Sequence, residues 1–366
     1  MTKTTGRAYH NGDEHGIVAL YNLITGASRT VEQHLWEWLD VPSPAKSKIW
    51  VIEDETGEIV GHHGLIALPG ICNDKPILLG KTENTILHPR YLGTGIYFLH
   101  ERRFAKEAED FFDVMITTAA GGVPGKIRNK LGFIIIDEYE RLLKIIKFDY
   151  LDSKIKTRNY YPLLRVLTGI GYGCYRLFIR SRKGKPAVQL SAITDIGPWE
   201  QKIDSFWNEN RKYYGLTIDR TAKFLKWRFL DNPNLRYDFL IAASRTDNII
   251  GYCIVLPRDN GKLIKIQDII VEKNNPDLVE AFLLAIEEYY KDANAVSFHT
   301  LRSNRTNGIF RKTGYIPVNA IGKLVSKKPV DMFANKFMAK SKKLHPMDYQ
   351  KGENWYYTEI FSEGVE

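Results

Sequence analysis

Near the start of the chain, apolar side chains stand at helical spacing among polar ones. Apolar side chains recur every three or four residues between positions 16 and 39, with a break at Gly26. Thr30 and Gln33 stand three positions apart just before the second apolar run, a spacing that allows each side chain to bond the other's backbone. The pattern predicts two short helices, the second beginning with a capping box.

The spacing then changes to that of extended chain. Residues 48–52 and 59–68 are rich in β-branched and aromatic residues and flank a polar turn, so they predict a hairpin. Residues 77–79 and 85–87 predict further extended chain, and helical spacing resumes from Ile96. A strand, a glycine-containing turn and a helix therefore follow one another between residues 77 and 108.

The second half of the chain repeats the order of elements found in the first. In each half we predict a strand–turn–strand unit, a long strand, a helix, a strand, and a helix that ends before Gly-aromatic-Ile. An internal duplication is the simplest account. The later predicted elements are strands 113–117 and 131–136 with helix 124–130, then helices 221–230, 276–290 and 304–313 with strands 237–243, 249–256, 263–271 and 295–300, and a turn at 245–248.

Two segments lie outside this repeat. Residues 160–185 predict a basic amphipathic helix, which suits either a connecting helix with a solvated charged end or contact with a membrane surface or anionic ligand. Residues 354–361 predict a last strand. Neither segment carries recognisable chemistry.

Composition narrows the class of protein. The 366 residues are 44% hydrophobic and carry a formal charge of +9, which favours two packed domains and anionic partners. The three cysteines lie far apart and form no metal-binding or disulfide pattern, so we expect no metal site. With a polar beginning and no apolar run of membrane-spanning length, the chain is expected in the cytoplasm, without stable membrane insertion.

The turn at residues 88–95 carries the most specific chemistry. A turn between a strand and a helix directs several backbone N–H groups and the positive end of the helix dipole at one point. Gly93 and Gly95 let the backbone approach an anion without interference from a Cβ atom. These features predict a site for the pyrophosphate of a phosphorylated cofactor.

Residues 90–95 fit the pattern Q/R-x-x-G-x-G/A, and Leu131-Gly132-Phe133 follows a predicted helix. With these motifs, residues 14–145 resemble the GNAT superfamily of acyl-CoA-dependent N-acyltransferases. The resemblance implies an α/β (α+β) protein of two GNAT-like lobes, each a mixed central sheet flanked by helices. We expect an N-terminal lobe over residues 1–150, a partly basic helical connector over 151–215, and a divergent C-terminal lobe over 216–366.

The C-terminal lobe has a different turn at the equivalent place. Residues 272–277 contain no glycine and two carboxylates, Glu272 and Asp277, which would repel a pyrophosphate. We therefore expect one acyl-CoA per chain, bound by the N-terminal lobe, with the C-terminal lobe completing the acceptor site. Tandem members similar to this chain transfer acyl groups to nucleotide-linked amino sugars in surface-polysaccharide pathways.

The resemblance assigns the donor site residue by residue. It implies that backbone groups of the turn hold the pyrophosphate and that those of the preceding strand end hold the pantetheine arm and polarise the thioester carbonyl. The implied cofactor-binding residues are Ile86, Leu87, His88, Arg90, Tyr91, Leu92, Gly93, Thr94, Gly95 and Asn129.

Candidates for proton transfer lie on the strands before the turn. Glu83 occupies a region where GNAT enzymes place a base, Asn84 is expected on the opposite face, and His63 titrates in a useful range. Each also fits a purely structural role. The family's tyrosine acid is replaced here by Arg128, so the source of the proton for the leaving thiolate stays open.

Three further residues are candidates for the acceptor site: Trp36, His62 and Trp227, all of which also suit core packing. The expected partners are acyl-CoA and a nucleotide-linked amino sugar but no nucleic acid, and a homodimer is compatible with the sequence. Two other functions stay open: a tRNA-dependent aminoacyltransferase of the peptidoglycan-bridge type, and a non-catalytic anion-binding protein.

Overall fold

The computed structural model describes residues 4–118, 122–156, 160–180, 187–244, 248–318 and 336–362. Its helices are α1 (Asp13–Thr25), α2 (Val31–Trp38), α3 (Ile96–Glu109), α4 (Gly122–Lys130), α5 (Asp149–Ile155), α6 (Tyr161–Arg180), α7 (Glu200–Asn210), α8 (Ala222–Leu225), α9 (Pro276–Tyr289), α10 (Asn307–Lys312) and α11 (Pro346–Tyr349).

The strands of the same residues form one mixed sheet. They are β1 (Thr5–Ala8), β2 (Lys48–Glu53), β3 (Ile59–Cys72), β4 (Lys75–Leu87), β5 (Val114–Thr117), β6 (Ile134–Ile145), β7 (Ser191–Ile193), β8 (Thr217–Ile218), β9 (Asp238–Ala243), β10 (Ile249–Arg258), β11 (Leu263–Val271), β12 (Ala295–Leu301), β13 (Ile316–Pro317) and β14 (Lys336–Lys340).

Local sequence determines the first two helices as predicted. Gly26 ends α1 in a left-handed conformation with a φ of 70°. At the start of α2 the Gln33 amide donates to the Thr30 hydroxyl, while the Thr30 amide donates to the Gln33 side chain. The predicted capping box is confirmed, and it fixes α2 across the sheet.

The sheet contains the two copies of the predicted repeat side by side. Its strand order is β1-β2-β3-β4-β5-β14-β6-β12-β11-β10-β9-β7, with β8 on β3 and β13 on β6. The first part of β6 pairs with β14, and its last part pairs with β12. The predicted α/β (α+β) class is confirmed. The two predicted mixed sheets are the two halves of one continuous sheet, and β6 joins them.

Both copies contain one parallel pair of strands that separates toward its end. Four residue pairs, from Leu79–Val114 to Thr82–Thr117, join β4 to β5, after which β4 continues to Leu87 paired only with β3 among the described strands. Four pairs, from Leu263–Ala295 to Ile266–Phe298, join β11 to β12 in the same way. We call the spaces beyond these pairs the N-terminal gap and the C-terminal gap.

The end of the chain returns to both halves, which the sequence pattern did not predict. Strand β14 lies between β5 and β6, where Met338 pairs with Thr117 and Ile135. The segments 1–150, 151–215 and 216–366 therefore remain a proposal about folding units, and any such units exchange a strand.

The predicted strand at 354–361 is wrong. The segment forms short 3₁₀ turns at Gly352–Asn354 and Glu359–Phe361, and it enters the C-terminal gap. There the Tyr356 hydroxyl donates to the Ile269 carbonyl, and the Thr300 hydroxyl donates to the Tyr357 carbonyl. Its aromatic residues are buried on every side, so a two-residue alternation does not describe them.

The remaining predicted elements are confirmed within a few residues, with two exceptions. Strand β6 continues to Ile145, beyond the predicted strand 131–136, and residues 226–230 form a π-helical turn after α8. The turn at 245–248 falls largely outside the described residues, as does the basic end of the 160–185 segment. One core runs through both halves, joining Val51 and Ile116 to Tyr252 and Ile270. None of the described helices combines the length and the apolar character needed to cross a bilayer.

Candidate functional site

The exposed edge of β4 forms one wall of the N-terminal gap. Beyond Thr82, no strand among the described residues pairs with the edge of β4 that faces β5. Thr85 and Ile86 on this edge are half-buried. Backbone groups of Ile86 and Leu87 can therefore bond an extended ligand that lies along the edge.

A β-bulge changes the direction of the side chains at this point. The pairing of β3 with β4 shifts between His62–Ile86 and Gly64–Glu83, and Asn84 has a φ of 44°. The Asn84 amide donates to Glu37 of α2, and a Cβ atom on Gly64, the partner of Glu83, would meet Trp38 of α2. Both residues lie on the α2 side, so the prediction of opposite faces is wrong because it assumed unbroken alternation.

The turn after β4 is open and rich in unpaired N–H groups. Gly93 and Gly95 have φ values of 78° and 80°, and a Cβ atom on either would meet nothing within 4 Å. Gly95 begins α3 without a side-chain cap, and neither glycine N–H has a hydrogen-bond partner among the described residues. Free N–H groups at a helix N-terminus, without bulk in front of them, fit a pyrophosphate.

Some of the other turn residues support the backbone of the turn, and one lies at the surface. Tyr91 is buried, while His88 accepts the Arg90 amide on its Nδ1 and Thr94 donates its hydroxyl to the Tyr91 carbonyl. Leu92 is exposed. These contacts hold the backbone of the turn in position.

Two cofactor candidates have protein partners of their own. Arg90 donates to Asp54 and Glu58 at 2.7 Å each, so a phosphate would compete with two carboxylates for it. Asn129 is exposed at the end of α4 and donates to the Phe133 carbonyl at 3.4 Å. Their side chains are therefore less available than the backbone of the turn.

Glu83 faces the C-terminal half of the molecule. It is buried and forms an ion pair with Lys81, which lies two residues earlier on the same face. Burial raises the pKa of Tyr139 and of Tyr357, and the charge of Glu83 contributes to both shifts. A carboxylate thus lies where β4, β6 and the C-terminal segment meet.

His63 lies on the other side of the sheet. Its ring packs against both Trp50 and Phe104, and its Nδ1 lies 2.8 Å from the Glu101 carboxylate. Burial lowers the pKa of His63, although Glu101 opposes the shift. The structure does not bring His63 together with Glu83 and Asn84.

Arg128 joins His63 in this buried cluster. It pairs with Glu101 and donates to the Thr85 hydroxyl at 3.1 Å. Burial raises the pKa of Glu101, but Arg128 and then His63 outweigh it, so the pKa lies below its usual range. Where the family carries a tyrosine, this chain has a positioned cation beneath the edge of β4. Tyr97 of α3 lies beside it, and burial raises its pKa.

His62 lies on the α2 side with two further side chains. Its Nδ1 is 2.8 Å from the Asn84 carbonyl, and its ring meets Trp38 and His34 edge-on. Burial lowers the pKa of His62 to about 3 and that of His34 to about 2. Both rings are therefore neutral near pH 7, and His62 buttresses the bulge.

Trp36 and Trp227 contact each other across the two halves. Their rings stack with centroids 5.1 Å apart, and each indole N–H donates to the other residue's carbonyl. Trp36 is buried and Trp227 is half-buried. The pair joins α2 to the turn after α8.

Lys81, Glu101 and His34 were missed by the sequence analysis. Strand alternation could have identified Lys81, because it shares a face with Glu83. Glu101 and His34 carried no such signal, since their partners come from other elements. Among the described residues, no group of three or more His, Cys, Asp or Glu side chains could hold a metal ion.

Comparison with known proteins gives a result only at the level of structure. No family model matches the sequence, and no curated protein does. A probable N-acyltransferase from Enterococcus faecalis V583 is similar in fold, with a TM-score of 0.65 and 10% identity over 94% of this chain and 74% of that one.

Two further structures widen the comparison. A tandem GNAT protein of clavulanic acid biosynthesis gives a TM-score of 0.52 at 12% identity, over 92% of this chain and 98% of that one. N-myristoyltransferase from Saccharomyces cerevisiae, solved with myristoyl-CoA, gives 0.55 at 10% identity, over 96% and 85%. The repeat, the separating parallel strands and these likenesses agree: the chain has the fold of the GCN5-related N-acetyltransferases.

Proposed function

We propose that this protein is an acyl-CoA-dependent N-acyltransferase with one donor site, in the N-terminal gap. The observation that carries the proposal is the open turn at Gly93 and Gly95, whose free N–H groups lie directly after the unpaired edge of β4. Structures of similar fold include acetyltransferases and an N-myristoyltransferase with bound myristoyl-CoA, which supports the same donor class.

The backbone would provide most of the contacts to the donor. The turn would hold the pyrophosphate, and the amides near Ile86 would bond the pantetheine arm and the thioester oxygen. Fixed donors aimed at a developing oxyanion each stabilise a transition state by about 3 kcal/mol. The bulge at Asn84 and the Arg128–Thr85 contact keep this part of β4 in place.

Glu83 is the proposed base. An amine attacks a thioester only when uncharged, and the tetrahedral intermediate must lose a proton from nitrogen. Glu83 faces the side on which Tyr139 and the C-terminal segment lie, and the Lys81 ammonium compensates its charge. His63 is the weaker candidate, because its ring is stacked in the core on the opposite face.

We propose that the acceptor is the amine of a nucleotide-linked amino sugar, such as a dTDP- or UDP-amino-deoxyhexose used in surface-polysaccharide synthesis. The net charge of +9 suits a diphosphate, and Trp36, Trp227 and His62 border the α2 side of the bulge. Transfer from acyl-CoA to these nucleotides, compared with transfer to the free amino sugars, tests the acceptor class. Aminoacyl-tRNA offered in place of acyl-CoA tests the alternative donor.

The donor site is tested by calorimetry with CoA, acetyl-CoA and myristoyl-CoA. We expect saturable binding at one site per chain, and loss of binding in Gly93→Glu because a carboxylate replaces the open space before the turn. Gly261→Glu is the matched control, since Gly261 has a φ of 76° and equally open surroundings in a distant hairpin.

Two results would contradict this assignment. Equal affinity in Gly93→Glu and Gly261→Glu would move the donor site elsewhere. Absence of CoA binding in the wild type would instead favour the tRNA-dependent aminoacyltransferase or a non-catalytic anion-binding protein.

A further inference from the structure

Charged side chains lie on both faces of the sheet at the N-terminal gap. Glu83 is on the α2 side, and Arg128 of α4 is on the other side, where it pairs with Glu101 of α3. Helix α4 follows β5, yet Arg128 donates to the Thr85 hydroxyl of β4 at 3.1 Å. Arg128 therefore lies beside the part of β4 that no longer pairs with β5.

The Arg128 guanidinium is almost completely buried and has more donors than nearby acceptors. Arg128 is 4% exposed, and a guanidinium carries five N–H groups. Among the described residues, its hydrogen bonds go to Glu101 and to Thr85, and the Phe133 ring lies 5.5 Å from its central carbon. Glu101 also lies 2.8 Å from the His63 Nδ1, so Arg128 does not hold this carboxylate alone. The guanidinium therefore keeps N–H groups for a further acceptor.

The titratable groups that face Arg128 do not readily supply a proton near pH 7. They are Glu101 and Tyr97 of α3 and His63 of β3. Burial raises the pKa of Tyr97, so its hydroxyl holds its proton firmly, and burial lowers the pKa of His63, so its ring is neutral. Burial also raises the pKa of Glu101, but Arg128 and then His63 outweigh it, so this carboxyl is ionised. A leaving group on this side of the sheet thus meets a permanent cation rather than an acid.

We propose that Arg128 stabilises the CoA thiolate that forms when acyl transfer breaks the C–S bond of the thioester. The inference rests on the proposed function, in which the amides near Ile86, the residue after Thr85, bond the thioester oxygen. The amine nitrogen bonds to the carbonyl carbon and gives a proton to Glu83 on the α2 side. The electron pair of the C–S bond leaves with the sulfur on the Arg128 side, and water protonates the thiolate after its release.

The physical basis is the fixed position of the cation. A preorganised charge that faces a developing negative charge in a buried site stabilises the transition state without rearranging. An arginine remains charged at every physiological pH, so Arg128 provides this stabilisation without transferring a proton itself.

Proton release on binding tests the proposal without catalytic turnover. CoA carries a thiol where acetyl-CoA carries a thioester, so the difference between the two ligands isolates the thiol. A neighbouring cation lowers the pKa of an acid by about 1–3. At pH 7.5 we therefore expect the full chain to release about half a proton or more per CoA in excess of acetyl-CoA. Calorimetry in two buffers of different ionisation enthalpy measures this number.

The main variant is Arg128→Gln/Glu101→Gln, which removes both charges so that neither is left buried alone. It should bind both ligands without the excess proton release, and acyl transfer should slow by about 10²-fold. Glu101→Gln alone keeps the cation and should release at least as many protons as the wild type. The matched control is Arg103→Gln/Glu107→Gln, which removes an exposed ion pair of 2.9 Å on α3 and should leave the release unchanged.

The outcomes separate this inference from the donor-site assignment. If the wild type binds neither CoA nor acetyl-CoA, the donor site itself is wrong, and the role of Arg128 is overturned with it. If both ligands bind and release equal numbers of protons, only the role of Arg128 is overturned. Excess release that persists in Arg128→Gln/Glu101→Gln also overturns it, because another group would then hold the thiolate.

Discussion

The N-terminal gap and the C-terminal gap begin alike and end differently. Each follows four parallel residue pairs, and each contains a bulge on its longer strand. In the N-terminal gap Ile86 stays half-buried, whereas Ile270 at the equivalent distance in the C-terminal gap is fully buried. Residues 355–361 fill the second space with aromatic side chains. The same framework thus leaves an open space in one copy and a packed core in the other.

The helices that follow the two gaps differ in the same way. Helix α3 begins at Gly95, which provides no side-chain cap; the Ile96 N–H reaches the Thr94 hydroxyl at 3.5 Å, and those of Tyr97 and Phe98 have no acceptor among the described residues. Helix α9 begins with Pro276, which has no N–H, and the Asn275 side chain accepts the Asp277 amide at 2.8 Å. The positive end of α9 is therefore already satisfied by the protein itself. Of the two helix starts, that of α3 is therefore the one at which we propose an anion site.

The largest expected effect comes from replacing Glu83, the proposed base in the N-terminal gap. Glu83→Gln keeps the shape of the side chain but cannot accept the proton, so acyl transfer should slow by about 10²–10⁴-fold. Calorimetry should show little change in CoA affinity, because the proposed CoA contacts come from backbone groups and Glu83 pairs with Lys81. A rate equal to that of the wild type would assign the base to another residue.

The next comparison pairs equivalent positions in the two gaps. Asp268 is fully buried and accepts from Arg220 and Thr358, so Asp268→Ala should lower the free energy of unfolding by about 3–5 kcal/mol by leaving the guanidinium without its partner. Asn84→Gly, which tolerates the positive φ, should lower it by only about 1 kcal/mol. Urea unfolding measures both, and similar losses would contradict the distinction between core and site.

Acid should destabilise the α2 side of the N-terminal gap. His34 has a folded pKa of about 2, far below the usual value of about 6.5. Its contribution to the free energy of unfolding is therefore complete above pH 6.5 and decreases as the pH falls. At pH 5 the loss is about 2 kcal/mol. His34→Leu should remove that part of the difference in unfolding free energy between pH 7.5 and pH 5.

The control for this acid effect is His15→Leu, because His15 is exposed. It should leave the pH dependence unchanged. If His34→Leu unfolds with the same pH dependence as the wild type, the buried ring is not the source of the acid sensitivity.

The smallest expected effect comes from a substitution that makes the start of α3 resemble the start of α9. Gly95→Asn would supply a side-chain acceptor for the first free amides of α3, and Asn accepts a positive φ. One N–H fewer for the pyrophosphate should weaken CoA binding by about fivefold. Gly26→Asn, at a φ of 70° on α1, should not alter it. Unchanged affinity in Gly95→Asn would mean that these amides do not bind the donor.

Local sequence patterns predicted most helices and strands. The structure around the candidate site depends instead on pairing between strands that are far apart in sequence. The capping box at Thr30, both hairpins and the turn at Gly93 follow from residues close in sequence. Strand β14 has only five residues and pairs with β5 and β6 from more than 190 positions away, so no local period marks it. The bulge at Asn84 escaped prediction for the same reason, because it depends on the register of β3.

The shape of the candidate site was predicted in part. The open turn at Gly93 and Gly95 is present, while the roles of the turn residues and of Glu83 stay predictions. Arg90 is held by Asp54 and Glu58 of a different loop. His62 and His63 are neighbours on β3, where pairing with β2 continues without a shift, so alternation places them on opposite faces. What the sequence lacked in each case was the identity of the partner across the fold.

The insertion of β14 between β5 and β6 has a consequence for synthesis on the ribosome. The N-terminal sheet lacks a central strand until residues 336–340 leave the exit tunnel, roughly 10 to 40 s after β6 at ordinary elongation rates. During that interval the edges of β5 and β6 are unpaired and prone to aggregation. Chaperone dependence should therefore concentrate on nascent chains that already contain β6 but not yet β14.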